Sequence, residues 1–131
     1  MRIRLVGLGH EDSAVIVMEP GLKTSKNLRA ALSVAATSRC NNQHGAVVVR
    51  RGKIVSTAIN IRQHSAHERS WRNSHIHAEA AAVRAAGAAS FGSTVYVARV
   101  DAAGDAALSA PCLRCQGAML RAGVRRVVYT H

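Results

Sequence analysis

Apolar and polar positions along the chain change their period several times, and each change marks an element. Residues 3–6 and 14–18 are short β-prone runs on either side of a polar region at 7–13, and they predict two strands. Glu19-Pro20-Gly21 interrupts the chain, after which Ser25 can cap a helix running to about Ser38. Leu28, Ala31, Leu32, Ala35 and Ala36 recur there at the spacing of one helical face. Residues 46–49 and 54–59 flank the polar turn 50–53 as a hairpin whose second strand runs to Asn60. From 61 to 76 the periodicity stops, and a histidine-rich stretch with Trp71 in its midst predicts a loop. An alanine-rich helix follows from His77 to Ala86, with Gly87 as a left-handed cap. Residues 94–100 are β-branched and apolar on both faces, as a central parallel strand would be. A small-residue loop at 101–110, a helix at 111–122 ended by Gly123, and a strand at 127–129 complete the pattern. Strands alternating with helices over short links predict a layered α/β domain with a mixed sheet. No repeat or low-complexity tract divides residues 1–131, so they read as one domain, with 1–20 as an atypical strand segment.

The chain's 131 residues, 48% of them hydrophobic, suffice for one core. No apolar run approaches the roughly 18 residues of a membrane span, and the apolar stretch near residue 5 is too short for a leader peptide. The net charge of +11 changes this picture more. It implies an anionic partner, a nucleotide phosphate or a nucleic acid, against the plainer alternative of a solvated basic surface. Three cysteines, two of them claimed below by a metal, fit a reducing, cytoplasmic setting.

Candidate chemistry concentrates in two short stretches, His77-Ala78-Glu79 and Pro111-Cys112-Leu113-Arg114-Cys115. One imidazole and two thiols are zinc ligands, and three protein ligands leave a fourth tetrahedral position for water, the mark of a catalytic site. Pro111 is suited to the first helical position, which would place Cys112 and Cys115 on one face of a helix's first turn. Two helix N-termini would then point at one spot, and their partial charge, and then the metal itself, would lower the cysteine pKa values. Glu79 remains as a carboxylate beside the metal, a candidate general acid and base. Either stretch alone is weak, since Cys-x-x-Cys also serves redox and structural zinc sites, and His75 could close the coordination as a fourth ligand. Cys40 reads as a small buried apolar residue, and His64, His67 and His75, one by one, as surface or hydrogen-bonded histidines.

The conjunction H-x-E with P-C-x-x-C is the signature of zinc nucleobase deaminases. With Ser38-Arg39-Cys40, Gly45-Ala46-Val47-Val48-Val49, Ile54-Val55-Ser56-Thr57 and the segments 118–120 and 122–129, the chain resembles the cytidine deaminase superfamily over residues 25–130. Within it the chain is most similar to the deoxycytidylate deaminase branch. The resemblance implies a three-layer α/β/α domain and one zinc per chain held by His77, Cys112 and Cys115. It implies hydrolytic deamination with Glu79 moving the protons, Asn60 touching substrate, and the Ala78 N–H donating to the substrate carbonyl. The chain departs from the branch at Leu108, where a threonine is usual three positions before the proline, and in the 61–76 loop, whose pattern offers no second metal site. It also stops at His131, where relatives continue, which would leave 127–129 as a sheet edge. The expectation is that strand 3–6 or 14–18 covers this edge, within the chain or across a homo-oligomer.

Substrate recognition is expected from the 61–76 loop. Arg72, then Arg69 and Arg62, would bind a phosphate, and Trp71 would pack near the base. The leading expectation is deamination of a cytosine nucleotide or nucleoside, dCMP to dUMP. Rivals are a polynucleotide deaminase, which the charge suits but an aromatic content of 3% does not, a guanine deaminase, and a non-catalytic zinc-stabilised binding module.

Overall fold

The computed structural model of the protein describes residues 2–4, 15–22, 24–62 and 75–131. Its frame is a mixed sheet. In chain order the strands are β1 (Arg2–Arg4), β2 (Val15–Pro20), β3 (Gln43–Arg50), β4 (Lys53–Ile59), β7 (Thr94–Val100), β8 (Ala106–Ala107) and β9 (Arg126–Tyr129). The spatial order is β1-β2-β9-β7-β3-β4, with β8 added against the end of β7. β5 (Ile61–Arg62) and β6 (His75–Ile76) pair as a separate antiparallel ribbon. The stretch expected to be all loop is therefore closed at its base, because Ile61 and Ile76 lie opposite one another in that ribbon.

β7 is antiparallel to β3 and parallel to β9, so the expected central strand is parallel on one side only. β2 runs parallel to β9, with Val17 beside Arg126 and Pro20 beside Tyr129. The segment 14–18 thus covers the edge of the last strand within the chain, and β1 pairs outside it.

Helix α1 (Lys26–Ala35) packs on one face of the sheet, and α2 (Ala78–Ala86) and α3 (Leu113–Arg121) on the other. Period-2 alternation sorts β3 between them. Val47 and Val49 meet Ala31 and Ala35 of α1, whereas Ala46 and Val48 join Ala82, Val83, Met119 and Leu120. The result is the expected three-layer α/β/α arrangement. α1 starts on the Ser25 cap, whose hydroxyl accepts from the Leu28 N–H, and it ends before Ser38. Thr37 turns its hydroxyl back onto the Val34 carbonyl, and the Ser38 hydroxyl is drawn away to Asn60. At Gly45 the helix backbone lies so close that an added Cβ would fall 2.7 Å from the Ala31 carbonyl oxygen.

Candidate active site

α2 and α3 both begin at the sheet end where β7 and β9 finish, and their caps carry the ligands. His77 is the N-cap of α2, with extended backbone at ψ 145°. Cys112 is the N-cap of α3 at ψ 165°, so Pro111 precedes the helix and is not its first residue as the sequence suggested. An extended cap leaves the Cys112 carbonyl free to accept the helix's first bond, from the Gln116 N–H, and Cys115 still lies one turn on. His77 Nδ1 is 3.2 Å from Cys115 Sγ and 3.6 Å from Cys112 Sγ, and the three ligand atoms lie within 4.8 Å of one another. A tetrahedral zinc with its usual bond lengths requires N···S separations of about 3.6 Å. One imidazole nitrogen and two sulfurs at these spacings fit the ion. They are the metal-competent cluster among the described residues, and the side chain of His75, the alternative fourth ligand, lies outside those described.

The protein groups around Cys115 do not by themselves favour a thiolate. Burial pushes the Cys115 thiol well above its ordinary value, and the neighbouring Glu79 and Cys112 push it further. The helix N-terminus is a partial charge, and desolvation outweighs it. A cation is thus needed to hold Cys115 as a thiolate. Glu79 is 5% exposed, and the same desolvation raises the pKa of its carboxyl.

His77, Glu79 and Cys112 line a cleft of about 810 Å³, with Cys115 buried beside them. Ala78 and Asn60 line it as well. Ala78 is the first residue of α2, where a backbone N–H has no partner within the helix. Asn60 is largely committed to the protein. Its Oδ1 accepts from the Ser38 hydroxyl at 2.6 Å and the His44 N–H at 3.0 Å, while Nδ2 donates to the Asn42 carbonyl at 2.6 Å. It clamps the chain after α1 onto β3, and one amide hydrogen is left over. Trp71, Arg72, Arg69, His64 and His67 lie outside the described residues. Arg62, in β5, does line the cleft.

Sequence reasoning missed Arg39, His44 and Ser109, which also line the cleft. Burial lowers the His44 pKa, and Arg99 and His77 add to the effect. Alternation along β3 could have placed His44: Gly45 faces α1, so its neighbour faces the site. Ser109 is buried and donates to the Val97 carbonyl at 2.8 Å, and it pairs with the Thr130 hydroxyl at 2.8 Å. This anchors the strand-like lead into Pro111. Cys40 is half-buried and lines the cleft, its thiol donating to the Asn60 carbonyl, so it is not the buried apolar residue expected.

With this geometry the chain is a zinc-site α/β protein of the deaminase type. It belongs to the family defined by the cytidine and deoxycytidylate deaminase zinc-binding region, which matches residues 23–131. Among solved structures it is similar to the dCMP deaminase from the cyanophage S-TIM5 in apo form, at TM-score 0.60 and 24% identity, covering 79% of this chain and 78% of that one. The same cyanophage enzyme is known in complex with dCMP and dUMP. Guanine deaminase from Bacillus subtilis is similar at TM-score 0.55 and 21% identity over 83% of this chain and 64% of that one. Acinetobacter baumannii RibD, form 1, is similar at TM-score 0.52 and 24% identity, covering 79% of this chain but 26% of RibD. No curated protein is significantly similar to the chain. At these identities the likenesses establish the fold, and the family match establishes a zinc-binding deaminase.

Proposed function

We propose that the protein hydrolyses the amino group from a cytosine nucleotide or nucleoside, with dCMP to dUMP as the leading reaction and one zinc per chain. The observation that carries this reading is the meeting of four groups in one cleft: the His77–Cys112–Cys115 cluster, the buried Glu79 carboxyl, the free N–H at Ala78, and Arg39 and Arg62 on the walls. A cleft of about 810 Å³ is within the range used for small ligands. Two guanidinium groups suit a phosphate.

His77 Nδ1 and the two cysteine sulfurs would hold the zinc, which supplies a water of lowered pKa and a Lewis acid. Glu79 then does the proton work. Its carboxylate takes a proton from the attacking water and gives one to ring N3 as water adds at C4. It next takes the proton of the new C4 hydroxyl and passes it to the amine, the C4–N4 bond breaks, a C4 carbonyl forms, and ammonia leaves. The Ala78 N–H donates to the base carbonyl, and the remaining Asn60 amide hydrogen contacts the sugar.

The test is ammonia release by the zinc-loaded protein from dCMP, cytidine, adenosine, guanine and a short oligonucleotide. The expected result is the highest kcat/KM on dCMP with dUMP as product. Turnover of guanine or the oligonucleotide with none of dCMP would overturn the substrate, and ammonia from no substrate would overturn the enzyme.

A further inference from the structure

The cleft occupies one end of the sheet, and the opposite end is built differently. There the β3–β4 turn, the end of α2, the three-ten turn Gly87–Ser90 and the start of β9 come together. The Arg125 N–H donates to the Ser93 carbonyl, Arg126 lies beside Thr94, Thr94 lies beside Val49, and Arg50 pairs with Lys53. Since adjacent strands are about 4.8 Å apart, these residues span roughly 10–15 Å of surface. Arg51, Lys53, Arg84, Arg125 and Arg126 are all exposed on it. Glu19 pairs with Arg126 at 3.3 Å. The other described carboxylates, Glu79, Asp101 and Asp105, belong to the cleft end of the sheet.

Two further features separate this pole from an ordinary solvated basic face. Arg51 sits in the left-handed region at φ 51° and is followed by Gly52 at φ 76°, a two-residue hairpin turn in which asparagine or glycine is the comfortable choice. The backbone does not ask for arginine there, and the turn presents it at its tip. The chain's one phenylalanine, Phe91, lies against Gly123, where a Cβ would come within 2.5 Å of its ring, yet it is 69% exposed. Phe91 stands two residues before Ser93, whose carbonyl accepts the Arg125 N–H, and an exposed ring on a basic pole is the combination that single-stranded nucleic acid uses, phosphates on the cations and a base on the ring.

We propose that this pole is a docking surface for single-stranded nucleic acid, with Arg51, Lys53 and Arg125 on the phosphates and Phe91 stacking a base. It lies about 20 Å from the cleft along the seven residues of β7, so it is a second site and not the substrate channel. It stands independently of which compound the cleft deaminates.

The test measures fluorescence anisotropy of labelled oligothymidylate and oligouridylate with the zinc-loaded full chain across a salt series. The triple variant Arg51→Asn, Lys53→Gln, Arg125→Gln is expected to weaken both by at least about tenfold and to lower the salt slope by about 2, at roughly 0.7 per lost phosphate contact. Phe91→Ala is expected to cost roughly 5- to 150-fold on single strands and little on duplex DNA. Arg51→Asn alone relaxes the turn, so weaker binding by a variant melting no lower than the parent excludes unfolding as the cause. Deamination rates should not change in any of these proteins. The proposal is overturned if the triple variant binds as the parent does, or if saturating dCMP displaces the oligonucleotide. Binding to phosphatidylserine vesicles in preference to the oligonucleotides would also overturn it.

Discussion

Replacing Gly45 by alanine should be among the most damaging small changes in this protein, and the structure says why. A Cβ at Gly45 would fall 2.7 Å from the Ala31 carbonyl oxygen and 2.8 Å from Ala35 Cα, and closer still to the Ala35 nitrogen. All three are backbone atoms of α1, so no rotamer change relieves them. The helix must lift by most of an ångström from a layer in which Ala31, Ala35, Val47, Val49, Ala98 and Val100 pack together. A gap of that size forfeits a quarter to a half of each contact's attraction. The upper end of the usual overpacking range, about 3 kcal/mol, is expected. At about 4 °C per kcal/mol for a chain of this size, Tm should fall by roughly 12 °C. Gly21→Ala is the matched control. Its Cβ would meet Val128 Cγ1 at 2.5 Å and Leu28 Cδ2 at 2.6 Å, which are buried side-chain atoms and not backbone, so the local cost is smaller than at Gly45 though not negligible. With the unfolded chain's lost freedom offsetting part of the strain, that variant should lose about 1–2 kcal/mol, less than Gly45→Ala. Scanning calorimetry on both proteins, with deaminase activity alongside, decides the matter. If Gly45→Ala melts within a few degrees of the parent, or no lower than Gly21→Ala, the close packing of α1 on β3 is wrong.

Removing the zinc by chelation or by His77→Ala should lower stability and activity together. Occupancy at a hundred times the dissociation constant contributes about 2.7 kcal/mol, so Tm should drop by roughly 10 °C, checked by metal analysis and melting curves. Glu79→Gln should keep the metal and the fold while turnover falls by about 10²–10⁴, measured as ammonia release with zinc content on the same sample. Asn60→Ala leaves the His44 N–H and the Ser38 hydroxyl without their acceptor, and a loss of about 2–3 kcal/mol is expected in denaturant unfolding. Arg62→Ala should raise KM for dCMP by roughly ten- to a hundredfold and leave deoxycytidine unaffected, as steady-state kinetics on the two substrates would show.

The elements that the sequence disclosed are those with strong local patterns. The Leu28–Ala31–Ala35 stripe, the hairpin around Arg51-Gly52 and the two ligand stretches needed only neighbours in sequence to be legible. What escaped depends on distant partners. α1 ends early because Ser38 finds Asn60 across 22 positions, a bond that no propensity encodes. Cys112 caps its helix instead of following the proline inside it, since its side chain must turn towards His77. How strongly burial works against the Cys115 thiolate was not legible either, because helix ends are visible in a sequence and burial is not. Arg39 and His44 were passed over for a different reason. Both are ordinary surface residue types, and only the fold makes the walls of a cleft out of them.

The parallel pairing of β2 with β9 has a consequence for how the molecule is made. Nearly all of the sequence lies between Val17 and Arg126, which sit side by side in the finished sheet. During synthesis the β1–β2 segment must wait for β9 to emerge before its inner edge can be matched. The hairpin β3–β4, β7 and α1 can assemble earlier, since their contacts close shorter loops. Such a late-closing clasp is also the first to open. In native-state hydrogen exchange, amides of β2 should exchange through partial opening, while those of β3 and β7 wait for the whole molecule to unfold.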